Sequence, residues 1–143
     1  MEEPIYPAPG ERARPLILIA DDDPEIRTLL RLHFSSMDCD LLEAADGEET
    51  LDSVIVHKPD LIILDVMMPE VSGWEICKYI KDEEHKEDYA HTGVIMLTAI
   101  GAVNNSLTSP LFGADDYLDK PFDFDDLDQR VQAVLASKQG YQK

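Results

Sequence analysis

The sequence predicts a one-domain α/β fold, a parallel sheet with helices packed on both faces. Three observations carry this. Short apolar runs, among them "LILI", "LIIL" and "VIML", alternate with longer amphipathic segments along the chain. The runs are apolar at every position rather than every second one, the pattern of strands buried on both faces. The chain's 143 residues, 44% of them hydrophobic, suffice for one sizeable core.

Each element can be placed in order. Four of the nine prolines fall in residues 1–15, so residues 1–14 are expected as a flexible, acidic, proline-rich tail. The folded domain is expected over 15–138, with a short tail over 139–143. "LILIA" is the first strand. Pro24 suits the first turn of a helix over 24–36, with Ile26, Leu29, Leu30 and Phe34 on one face. "CDLLEAA" is the second strand, and "DGEETLDSVIVHK" a helix closed by Pro59. "DLIILD" is the third strand, "MMPEVSG" a loop and "WEICKYIKDEE" a helix. "KDEEHKEDYAHTG" reads as a long charged loop leading into the fourth strand, "GVIMLTA". A fourth helix is expected over 102–112. A fifth strand lies within "ADDYLDKPF", and "DFDDLDQRVQAVLASKQ" closes the chain as an amphipathic helix.

Composition excludes several partners. With 12 basic and 30 acidic residues the formal charge is −18, which argues against direct binding of nucleic acid or insertion into an anionic membrane. No apolar run is long enough to span a bilayer, and the acidic N-terminus is no secretory signal. Cys39 and Cys77 form no CxxC pair and read as reduced core cysteines of a cytoplasmic protein. The four histidines have no metal-ligand spacing.

Ligand sites in such sheets lie beyond the carboxyl ends of the strands. There the first strand presents Asp21, Asp22 and Asp23, the third Asp65, the fourth Thr98, and the fifth leads into Lys120. Carboxylates about 4 Å apart repel by roughly 4 kcal/mol per pair at an effective dielectric near 20. Gathered in one pocket, such oxygens suit a hard divalent cation, Mg²⁺ above all. A hydroxyl and an ammonium opposite them suit an incoming phosphoryl group. Asp23 reads separately, as a first-turn acid favoured by the helix dipole.

The motifs "LILIADDDP", "LIILDVMMPEVSGWE", "VIMLTA" and "GADDYLDKPF", in this order, resemble the response-regulator receiver family of two-component signalling, in its single-domain, chemotaxis-regulator-like form. The resemblance implies a flavodoxin-like, doubly wound, five-stranded parallel sheet of order 2-1-3-4-5 with five helices. It implies that Asp65 accepts a phosphoryl group from a phosphohistidine of a sensor kinase or phosphotransfer protein. Asp21, Asp22, Asp65 and the Met67 backbone carbonyl would hold Mg²⁺, with Mn²⁺ as the alternative. Lys120 and Thr98 would contact the phosphoryl oxygens, and the Lys120–Pro121 bond would be cis. Thr98 and Tyr117 would be the switch pair, read at the face of the fourth helix, fifth strand and fifth helix by a downstream protein the sequence does not name. Ile26 and Leu30 would dock the kinase. The protein would be a switch rather than an enzyme, beyond its own phosphorylation and slow dephosphorylation. Two other readings compete: a haloacid-dehalogenase-like phosphatase using Asp21 and Asp23, and a receiver-like binding module that is never phosphorylated. The first leaves Asp65 without a role, and the intact set of site residues argues against the second.

Two departures from the family pattern carry expectations. The segment 102–112, "AVNNSLTSPLF", has no charged residue and contains Pro110, so the fourth helix should be short or irregular. DNA-binding relatives dimerise through charge pairs on that face. Here Asp115, Asp116 and Arg130 supply only part of the set, so sedimentation of the phosphorylated protein should show a monomer or weak dimer. A dimer of micromolar affinity or better contradicts this. The residues that line the path of hydrolytic water in the family, Met67 and Ile100 here, are apolar and cannot orient water.

Overall fold

The computed structural model describes residues 7–98 and 113–138. Five strands, β1 (Leu16–Ala20), β2 (Asp40–Ala44), β3 (Leu61–Asp65), β4 (Gly93–Thr98) and β5 (Asp116–Asp119), form one parallel sheet of order β2-β1-β3-β4-β5. This is the order the resemblance implied. Helices α1 (Pro24–Phe34), α2 (Gly47–His57) and α3 (Gly73–Lys81) and the C-terminal helix (Phe124–Lys138) cover it. The fourth helix expected over 102–112, and Ile100, lie outside the described residues.

The sheet is double-faced because β1, β3 and β4 are buried at every position. Alternate residues therefore feed two cores. Leu18, Ile62, Leu64 and Met96 pack under α2 and α3. Ile17, Ile63, Ile95 and Leu97 pack under α1 and the C-terminal helix. Their burial is the main stabilising term, at roughly 25 cal/mol per Å² of apolar surface.

Local chemistry sets the helix starts. Asp23, Asp46 and Ser72 each accept a backbone N–H of the first turn as N-caps of α1, α2 and α3. The turn after α3 differs from expectation. The segment read as a charged loop holds a 3-10 turn (Glu83–His85) and a one-turn helix (Lys86–Tyr89). Asp82 caps the first of these by accepting from Glu84 N. The rings of Tyr79 and His85 lie 4.0 Å apart, tilted by 31°, and Tyr79 and Tyr89 lie 5.8 Å apart with Tyr89 buried. Three aromatic rings spaced across a charged stretch supply the packing that its composition hides.

Arg12, within the segment expected as a tail, is anchored. Its guanidinium donates to the carbonyls of His57 and Lys58, at the end of α2, and pairs with Asp60 at 3.1 Å. Asp60 is buried and also accepts Leu16 N at 2.8 Å. Arg12 thus satisfies open carbonyls of a helix C-terminus and neutralises a buried carboxylate beside β1.

Among the described residues no helix is long and apolar enough to cross a membrane. The two cysteines are free, Cys77 buried and Cys39 half-buried.

Candidate functional site

The carboxyl ends of β1 and β3 bring the expected acids together. Asp21, Asp22 and Asp65 each place a carboxylate oxygen within 4.8 Å of the others. Adjacent register makes this unavoidable, because Ala20 pairs with Leu64 and the next residue on each strand is an aspartate. Asp65 is held by a hydrogen bond that Met67 N donates to its Oδ1, 3.2 Å away. Gly73 lets the start of α3 press on this strand end: a β-carbon there would lie 2.2 Å from the Asp65 carbonyl oxygen.

Lys120 enters from the end of β5, next to the cis bond to Pro121. Its ammonium is 2.7 Å from Asp21 Oδ2 and 3.5 Å from Asp65 Oδ1. Asp21 is fully buried, yet among the described residues that Oδ2 accepts no hydrogen bond of good geometry. The Lys120 ammonium is its ionic partner, and a carboxylate oxygen so paired keeps lone-pair capacity for a cation. Three carboxylates against one ammonium leave excess negative charge, and every donor is oxygen, so the set fits a hard divalent ion.

The same crowding moves proton affinities. Burial, and then the Asp21 charge, push the Asp65 carboxyl up to about 7, against the opposing pull of Lys120 and the Met67 N–H. Burial pulls Lys120 down, but the pairing with Asp21 and Asp65 outweighs it and holds the ammonium above its ordinary value.

Thr98 ends β4, buried, and its hydroxyl donates to Asp119 Oδ1 at 2.9 Å. Tyr117 is half-buried, with its ring centroid 6.4 Å from that of Trp74. Met67 is 72% exposed beside Asp65. Asp23 is exposed and spends its carboxylate on Glu25 N, so Asp21 and Asp23 do not act as the pair that a dehalogenase-like phosphatase needs.

Of the two residues expected to dock a kinase, Leu30 is not on the surface. Leu30 is 0% exposed and packs in the core beneath α1, and Ile26 is partly buried against the same core. The apolar side chains that α1 offers to solvent are Leu29 and Leu32. Helical periodicity marks a stripe but does not fix its rotation to within one residue. On the opposite edge, the charges expected to pair between molecules are taken within this one. Arg130 pairs with Asp116 at 2.6 Å and Asp126 at 3.0 Å, and Asp115 lies between Lys81 and Lys138. Two residues are not recognisable from sequence: Arg12, hidden by a proline-rich segment, and Asp119, marked only by standing directly before Lys120.

Known proteins resemble this chain in sequence and fold. The response regulator receiver domain family matches residues 17–132. The chain is 39% identical to the DNA-binding dual master transcriptional regulator RpaA of Synechocystis, over 85% of this chain and 49% of that protein. It is 38% identical to the alkaline phosphatase synthesis transcriptional regulatory protein PhoP of Bacillus subtilis, over 83% of this chain and 48% of that protein. The chain thus spans about half the length of these curated relatives. Among solved structures it resembles the receiver domain of the Francisella response regulator 1452, with a TM-score of 0.76 and 32% identity over 87% of this chain and 98% of that one. Chemotaxis response regulator CheY4 of Vibrio cholerae also aligns, with a TM-score of 0.76 and 29% identity over 86% of this chain and all of that one. The family match over most of the chain, the identity to these regulators and the likeness to solved receiver domains show that the chain belongs to the response regulator receiver domain family.

Proposed function

We propose that the protein is a phosphoacceptor switch in which Asp65 takes a phosphoryl group from a phosphohistidine donor. The observation that carries this is the meeting of Asp65 with Asp21, Asp22 and Lys120 at the ends of β1, β3 and β5. An Asp65 oxygen attacks phosphorus as the phosphorus–nitrogen bond of the donor breaks, and an aspartyl phosphate forms. Asp21, Asp22, Asp65 and the Met67 carbonyl would hold Mg²⁺ or Mn²⁺, which supplies charge neutralisation at the transferred oxygens. Lys120 steadies a phosphoryl oxygen by charge and Thr98 by its hydroxyl. Tyr117 follows Thr98, and the equilibrium between two arrangements of that edge shifts. The exposed Leu29 and Leu32 of α1 are the surface offered to the histidine kinase or phosphotransfer protein.

Intact mass after incubation with acetyl phosphate and Mg²⁺ tests this. One phosphate is expected on the wild type and none on Asp65→Asn. Hydrolysis of a chromogenic phosphate ester that survives Asp65→Asn but not Asp21→Asn would point to a phosphatase instead.

Two further outcomes are expected. Mg²⁺ at ten times its dissociation constant should stabilise the protein by about 1.4 kcal/mol, visible as a melting temperature raised by roughly 5 °C. Indifference to millimolar Mg²⁺ contradicts the metal assignment. The aspartyl phosphate should be long-lived, and the double variant Met67→Asn, Ile100→Glu, which adds groups able to orient water, should release phosphate several times faster. Equal release rates would show that these positions do not set the lifetime.

A further inference from the structure

One hydrogen bond at the site serves no step of the phosphoryl transfer. Thr98 Oγ1 donates to Asp119 Oδ1 at 2.9 Å. The two residues are direct partners in the β4–β5 register, and the same rung is closed by Lys120 N donating to Thr98 O at 2.8 Å. Thr98 is 2% exposed, so bulk water does not compete for its hydroxyl. A threonine hydroxyl has one hydrogen to donate. It can go to Asp119 or to a phosphoryl oxygen, but not to both. The present acceptor is a carboxylate, and charge-assisted hydrogen bonds are roughly twice as strong as neutral ones.

We propose that Asp119 is a latch on Thr98. In the unphosphorylated protein its carboxylate holds the hydroxyl at the β5 rung, and phosphorylation must break that bond before Thr98 can reach the phosphoryl group. Asp119 is thus a positioning residue that acts through Thr98 and sets how strongly the resting arrangement is favoured. It ends β5 directly before Lys120, so two adjacent residues carry the group that attracts the phosphoryl oxygens and the group that delays the response to them. The inference rests on the phosphoacceptor reading of Asp65.

The test titrates wild type, Asp119→Ala and Asp119→Asn with acetyl phosphate in saturating Mg²⁺. Occupancy is read by intact mass. The switch is read by the emission of Trp74, the only tryptophan in the chain, whose ring lies 6.4 Å from that of Tyr117. Asp119→Ala frees the hydroxyl and should reach its half-maximal emission change at about tenfold lower acetyl phosphate, the equivalent of about 1.4 kcal/mol. Asp119→Asn keeps an acceptor oxygen without the charge and should fall between. Loss of a merely structural contact would leave the response unchanged or weaken it, so a gain of response separates the two roles. A normally phosphorylated wild type with variants no more responsive overturns the latch and spares the Asp65 reading. A wild type that gains no Asp65-dependent mass overturns both. If Asp119→Ala does not fold, Asp119→Asn decides: a clear shift to lower acetyl phosphate supports the latch, and no shift overturns it.

Discussion

Replacing Arg12 with alanine is expected to destabilise the protein by about 3–5 kcal/mol, the usual result of removing one partner of a buried ion pair. The guanidinium is 6% exposed and the Asp60 side chain 2%, so water cannot take over the pairing without opening the structure. The substitution also strips a hydrogen bond from each of the carbonyls of His57 and Lys58. For a chain of this length the melting temperature should fall by on the order of 10–15 °C. The double variant Arg12→Ala, Asp60→Asn should recover a large part of the loss. An asparagine oxygen still accepts Leu16 N but leaves no unpaired buried charge. Thermal denaturation of the four proteins closes the cycle. A loss under about 1 kcal/mol for Arg12→Ala, the level of an exposed pair, would mean that the segment before β1 contributes nothing to the fold.

Asp65→Asn should make the metal-free protein more stable at pH 8 while abolishing phosphorylation. Asp65 has its folded carboxyl raised from 3.8 to about 7 by burial and by Asp21. A raised carboxyl binds its proton more tightly when folded. Its contribution is therefore fully present below about pH 4, near the unfolded value. It is lost as pH rises toward 7, where the folded protein must carry a buried charge. At one pKa unit per about 1.4 kcal/mol, the advantage of Asp65→Asn over wild type should grow by on the order of 2–4 kcal/mol between pH 4 and pH 8. Denaturant titration in a chelating buffer at both values measures this. Saturating Mg²⁺ should narrow the gap at pH 8, because only the wild type keeps all three carboxylates. A gap that does not change with pH would mean that the crowding at Asp65 carries no energetic penalty.

Most of the site is legible in the sequence because a parallel sheet converts strand ends into neighbours. Asp21, Asp22 and Asp65 each stand just after or at the end of an apolar run. Once β1 and β3 are adjacent, in-register pairing leaves their side chains nowhere else to meet. The same logic places Lys120 after the short β5. Legibility fails where a decision depends on contacts far apart in the chain. The apolar stripe of α1 is plain, yet which leucine turns inward depends on how the helix seats on the sheet. The core formed with the sheet buries Leu30 and leaves Leu29 out. The segment 82–89 reads as a solvated loop by charge, and the rings of Tyr79, His85 and Tyr89 fold it.

Local patterns were enough for the fold class and for the acids and lysine gathered at the strand ends, while the strand order came with the family resemblance. Apolar runs, helix starts and the residue that ends each strand are all written in neighbouring positions. Two contacts needed the packed molecule: Arg12 reaching across 48 positions to neutralise Asp60, and Asp119 holding the Thr98 hydroxyl. Both are single polar contacts with no periodicity to announce them. A buried charge or hydroxyl takes whichever partner the packed chain brings within about 3 Å, and that choice is made only when the strands and helices are in place.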